Sequence, residues 1–380
     1  MRPFAIIVVA AVLVTAGGCT ADRRPTARVS ASPRPVAVGS AIGLPALTVS
    51  RAAHTATLLA DGRVLIVGGC SLAGCDGTLA GAEFYEPAGR RFAAGPRMRQ
   101  PRAGHTASPL PDGRVLVLGG YPAEGRGPLR QAEIYDPRSG TFAPAGAMAS
   151  GRGAHTATRL ADGRVLIAGG VDGITALSAV EMFDPATNRF HQAAPLPGPR
   201  ATHGAALLRD GRVLVAGGQA GVGHGNALLD TAVVYDPAKD TWTPTAPLAV
   251  AKYKLAIAPL PDGGAMVVGG QTADDAAARL ATTELFDPRT GRFTAGPVMA
   301  EPRYKISDAI VTLRDGRVVA SGGFGAEVFA AGRFNPIRGT PGVERQFPAA
   351  VALADGTVLV TGGYDDRTRV TDTAFLINPG

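Results

Sequence analysis

Seven times along the chain a short apolar run ends in a glycine doublet, its second glycine at Gly69, Gly120, Gly170, Gly218, Gly270, Gly323 and Gly363. The intervals are 51, 50, 48, 52, 53 and 40 residues. Five runs are near-copies, from DGRVLIVGG at Asp61 to DGRVVASGG at Asp315, with DGGAMVVGG at Asp262 and DGTVLVTGG at Asp355 as variants. A period near fifty residues means one supersecondary unit repeated about an axis, because a unit of that size cannot bury its apolar face alone.

Each unit holds four strand-sized pieces. A short first run (HTATLL from His54) meets an Asp-Gly turn, the strongest short hairpin signal. The second run is apolar throughout, which suits a strand covered on both faces. The third stops at an aromatic-Asp-Pro step: Tyr135-Asp136-Pro137, Phe183-Asp184-Pro185, Tyr235-Asp236-Pro237 and Phe286-Asp287-Pro288, with Tyr85-Glu86-Pro87 and Phe334-Asn335-Pro336 as variants. Proline has no ladder N–H and restricts its predecessor, so it closes the strand. Five residues on, Phe92, Phe142, Phe190, Trp242 or Phe293 opens a fourth strand. Four antiparallel strands per unit predict an all-β fold of seven radially packed blades.

Doublets, downstream aromatics and period together resemble kelch repeats over residues 41–380, in the manner of the galactose-oxidase central domain. The resemblance implies a seven-bladed propeller with ligands bound around one mouth of the central channel. Unit seven stops after its third strand at Asn378-Pro379-Gly380, while Leu47 precedes Arg51 by four residues as Met98 precedes Arg102. An N-terminal strand is therefore expected to complete the last blade. Blade six should be the thinnest. Pro336 to Arg345 is nine residues where other blades have fifteen, so its fourth strand is expected to be missing or a stub.

Met1-Arg2 and the apolar stretch Phe4–Val14 form a signal segment too short to span a bilayer. Thr15-Ala16-Gly17-Gly18-Cys19 resembles a bacterial lipobox, which implies a signal peptide at 1–18 and a lipid on Cys19. The expected product is exported and lipid-anchored to the bacterial cell membrane, facing outward. Residues 19–40, rich in Pro, Ser and Arg, read as a disordered tether, about 25 Å in root-mean-square span. Of the formal charge of +7, Arg2 contributes one and the tether a net +3 (four arginines against Asp22). The remaining +3 is too little on a propeller of this size to call for nucleic acid; the basic tether suits anionic headgroups instead. With Cys19 assigned to lipid, Cys70 and Cys75 are expected to pair as a disulfide clipping the first post-doublet loop.

A basic residue stands at the entry to every innermost strand: Arg51, Arg102, Arg152, Arg200, Lys252, Arg303 and Arg345. Seven-fold recurrence argues for a structural ring paired with third-strand glutamates of the type Glu83, Glu133, Glu181 and Glu284. Three residues further come His54, His105, His155 and His203, then Leu255, Ile306 and Pro348. The imidazoles are candidates both for backbone hydrogen bonding and for ligand binding; as a metal site they are too widely spaced around a seven-fold ring. Function is expected where the repeat breaks. Blades one to four carry small residues after the arginine. Blades five and six carry Tyr253-Lys254 and Tyr304-Lys305, and blade six adds two residues, including Asp308. Aromatic faces beside cations suit a sugar or an anion.

Within the resembled group, copper radical oxidase chemistry needs a tyrosine cross-linked to cysteine, and the two cysteines outside the lipobox sit together in one loop. Envelope sialic-acid epimerases work by acid–base chemistry at the mouth, for which Asp308, Lys254, Lys305 or the histidines could serve. The expectation is a monomeric binding module for carbohydrate or protein, with neither cofactor nor metal; the alternative is a carbohydrate-modifying enzyme at the same mouth.

Overall fold

The computed structural model describes residues 39–73, 77–123, 125–222, 226–273 and 275–380. The signal segment, Cys19, Cys75 and all of the tether but its last two residues lie outside them. Within them are seven four-stranded antiparallel sheets, each running outward from its first strand to its fourth. The innermost strands stand in a ring, each beside those of the two flanking blades, and blade seven returns to blade one.

The apolar second strands show why the ring holds. In blade one, Val64–Val67 is almost fully buried, and alternate side chains face opposite neighbours. Leu65 and Val67 pack with Val115, Val117 and Tyr135 of blade two. Val64 and Ile66 pack with Leu353, Leu359 and Leu376 of blade seven. A pleated strand sends successive side chains to opposite faces, so a strand clamped between two blades must be apolar at every position.

The doublet glycines are forced by the same packing. Gly68 and Gly69 both have positive φ. A Cβ on Gly68 would lie 2.6 Å from the Arg102 carbonyl and 2.8 Å from the His105 ring in blade two; one on Gly69 would lie 2.6 Å from the Ala52 carbonyl of its own blade. One glycine admits the next blade and the other admits its own entry segment.

The N-terminal strand closes the ring as expected: Ser40–Gly43 pairs antiparallel with Ala374–Asn378, Ser40 opposite Asn378 and Gly43 opposite Phe375. Leu47 then repeats the role of Met98. Both are 4% exposed, and the amide of each donates to a carbonyl just before the third strand, Asp372 at 2.8 Å and Ala80 at 2.9 Å.

Blade six departs from expectation. It has four strands: Ile310–Thr312, Val318–Ala320, Glu327–Ala330 and Arg333–Pro336. Phe334-Asn335-Pro336 is therefore the fourth strand itself, and the third strand ends earlier, at Phe329-Ala330. The Asp-Pro turn of the other blades is replaced by Ala331-Gly332, both at positive φ (50° and 78°), as a tight two-residue hairpin requires. The tilted aromatic pair survives as Phe329–Phe334, centroids 5.5 Å apart, against 5.2 Å for Tyr85–Phe92. Two residues went from this turn and more from the connection between the second and third strands, which is cut to residues 321–326, while the fourth strand stayed.

Candidate functional site

Six of the seven basic residues at the strand entries are buried, and Arg345 is half-buried. Five form ion pairs: Arg51–Glu83, Arg102–Glu133, Arg152–Glu181, Lys252–Glu284 and Arg303–Glu327, at 2.5–3.0 Å. Each arginine of this set also donates to the carbonyl of its blade's first doublet glycine, for example Arg152 Nη1 to Gly169 at 3.0 Å. The second glutamate oxygen accepts a main-chain N–H from the incoming linker, as Glu181 Oε2 does from Ala149 at 2.9 Å. Each pair thus ties the linker to its blade's second and third strands. Glu327 is hidden in the sequence because Phe334-Asn335-Pro336 imitates a third-strand stop, whereas the third strand ends at Ala330.

Two blades lack the carboxylate. In blade four the register puts Val233 where Glu181 stands in blade three. Arg200 bonds instead to the carbonyls of Gly217 and Thr231 and to Thr231 Oγ1. Burial, with no carboxylate to oppose it, lowers its pKa to about 10. Arg345 reaches the Glu344 carbonyl and Thr373 Oγ1.

The four histidines are between 1% and 7% exposed and stitch blade to blade. Nε2 of His105, His155 and His203 lies 2.9–3.1 Å from the hydroxyl of Thr55, Thr106 and Thr156, the first innermost-strand residue of the preceding blade. Blade seven has Ala349 at that place, and His54 turns to Thr361 Oγ1 at 2.8 Å. Burial, then the neighbouring arginine charge, holds all four neutral. His105 and His155 fall to about 3, and His54 and His203 lie well below the ordinary imidazole value. Among the described residues no three His, Cys, Asp or Glu side chains converge as a metal site.

The mouth is framed by the second residue after each basic one: Ala53, Gly104, Ala154, Thr202, Lys254, Lys305 and Phe347. All seven have φ between 51° and 62°. At six of the seven steps the amide donates to the carbonyl of its counterpart in the preceding blade, at 2.9–3.2 Å, including Ala53 to Phe347 across the closure. Left-handed backbone at Thr, Lys and Phe is costly; this ring of hydrogen bonds over-determines it. Inside lies a cavity of about 780 Å³ reaching down the small side chains Ala107, Ala157 and Ala205, with Ile257 beside them. His105, His155 and His203 contribute to its wall.

The divergent half is built differently from what its sequence suggests. Tyr253 and Tyr304 are 3% and 8% exposed, and neither is among the residues lining the cavity. They occupy the position held by Ala52, Ala103, Gly153 and Ala201, which packs against the residue after a doublet. Where that residue is Tyr121, its neighbour is Gly153, with no room for a Cβ. At that pair, volume is exchanged between neighbouring positions. The rings brace the lysines: Lys254 Nζ sits 4.3 Å over the Tyr253 ring and donates to its hydroxyl at 3.1 Å. Lys305 Nζ donates to Gln346 Oε1 (3.0 Å) and Tyr364 Oη (2.8 Å). Arg279, stacked at 4.3 Å on Tyr304, pairs with Glu344 at 2.6 Å. Nothing in the repeat pattern marked Arg279, Glu344 or Tyr364, because they come from three separate loops.

The two residues added to blade six form a turn, Ile306 and Ala309 being fully buried on either side. Ser307 and Asp308 project into the cavity. Asp308 is exposed within the channel, and the protein crowded around its carboxylate raises its pKa to about 6, against the opposing hydrogen bond from Ser307 Oγ at 3.1 Å. Cys70 is disulfide-bonded; its expected partner Cys75 lies outside the described residues.

Residues 152–197 and 200–249, blades three and four, match the Kelch motif. No curated protein matches the chain. The two motif matches and the closed ring of seven four-stranded blades together support a kelch-repeat β-propeller, a fold suited to a binding module.

Proposed function

We propose that the chain is an exported binding module, lipid-anchored through Cys19, that receives a segment of a partner protein in the mouth of its central channel. One observation carries this: the mouth opens a cavity of about 780 Å³ walled by small apolar side chains and ringed by exposed large ones. Leu72, Ile174, Val222 and Phe324 are 42–84% exposed, and all stand on connections that follow a doublet. Those connections also supply cavity-lining residues such as Thr78, Tyr121, Gly173 and Val222. On the opposite face, the Asp-Gly turns are closed by Asp–Arg pairs such as Asp162–Arg164. An apolar rim around a recess is how a protein-docking surface differs from ordinary surface. Protein is favoured over carbohydrate because the two tyrosines that would stack on a sugar stand behind the wall. The anchor rests on the sequence of residues 1–19.

The test is panning of a displayed-peptide library and a glycan array against the full-length chain and against Ala157→Phe, which fills the lumen. Peptides retained by the native chain and lost from the variant at an unchanged thermal midpoint support the reading. Glycans bound in their place shift it to carbohydrate. Peptide binding that survives filling removes the mouth as the site. The enzymatic alternative rests on Asp308, whose raised pKa suits a general base; turnover of a bound sugar, abolished in Asp308→Asn, would establish it.

A further inference from the structure

The described lining of the mouth carries three cations, Arg126, Lys254 and Lys305, and a single carboxylate. Lys254 and Lys305 lie at the rim with their ammonium groups drawn over aromatic rings, Lys254 on Tyr253 and Lys305 between Tyr304, Phe347 and Tyr364 at 5.1–5.5 Å. Asp308 is the one carboxylate among the described lining residues. It is there because blade six carries two more residues than its siblings at this point. The turn that displays it is fixed: the Ala309 amide donates to the Ile306 carbonyl at 2.9 Å, and the Ala350 amide of blade seven donates to the Asp308 carbonyl at 2.7 Å. The carboxylate is thus held in the channel on a pinned backbone, beside an apolar wall.

We infer that the partner segment inserts a basic side chain, lysine or arginine, with its aliphatic stem along Ile257 of the adjoining blade five and its charge on Asp308. This deepens the protein-binding reading and rests on it. The stem of a long basic side chain packs on apolar surface while its head seeks a polar partner. A carboxylate standing in an otherwise apolar recess is best met by a cation that brings its own hydrogen-bond donors. The cavity is far larger than one side chain, so flanking residues of the segment fill the rest and meet the apolar rim.

The experiment is a positional-scanning hexapeptide library screened against the full-length chain and its Asp308→Asn variant. The native chain should favour Lys or Arg over norleucine at one position by at least about tenfold. Asp308→Asn, near-isosteric, should lose that preference at an unchanged thermal midpoint. Selection of Asp or Glu, no basic preference, or a preference unaltered in the variant overturns the inference and leaves the protein-binding reading standing. A native chain that retains no hexapeptide overturns both.

Discussion

Acid should unfold this propeller early, through its histidines. The folded state holds His105 and His155 at about 3, whereas an imidazole in the unfolded chain titrates near 6.5. The folded values are depressed, so between those limits the unfolded chain binds more protons, and stability falls as pH falls through the window. At pH 5 each of the two costs about 2 kcal/mol relative to pH 8, roughly 4 kcal/mol together. His54 and His203, buried in equivalent places and also held well below the ordinary value, add in the same direction. Against a total stability of roughly 5–15 kcal/mol, the effect is large. Urea unfolding at pH 8, 7, 6 and 5 should show the midpoint falling steeply below pH 6.5. Imidazole proton resonances of the folded chain should stay unshifted for the four buried rings over the same range. A midpoint flat between pH 8 and 5, or buried imidazoles that titrate near 6.5 while the chain stays folded, would refute the reasoning.

Other perturbations should separate structural from functional positions. Arg152→Met leaves Glu181 buried without its partner and should cost about 3–5 kcal/mol; Arg200→Met, which strands no carboxylate, should cost clearly less, and equal losses in chemical denaturation would contradict the pairing. Deleting residues 40–49 removes the closing strand and exposes the Ala374–Asn378 edge, so light scattering should report aggregation; a monomeric product of native stability would disprove closure from the N-terminus. Tyr304→Ala should lower stability by about 3–5 kcal/mol through lost packing and the freed Arg279. A thermal midpoint that stays put while ligand binding falls would return this tyrosine to the binding surface.

Local residue patterns determined the architecture, because each blade is a local unit. The Asp-Gly turns, apolar second strands and third-strand stops lie within fifty residues of one another, and their repetition left only a ring. Even closure was legible, since Leu47 keeps the register of Met98. Blade six shows where local reading fails: Phe334-Asn335-Pro336 imitates a strand stop, and only the pairing of Phe329 with Phe334 reveals the hairpin that replaced the turn. The site was readable in part. The break in the repeat at blades five and six was visible as Tyr-Lys doublets and two added residues. Which of those side chains meet the channel was decided by tertiary contacts. Tyr253 and Tyr304 are held behind the wall by Gln271 and Arg279, and Asp308 went into the lumen because Ile306 and Ala309 on either side are buried. Such choices depend on residues brought in by other strands and connections, and no local pattern records them.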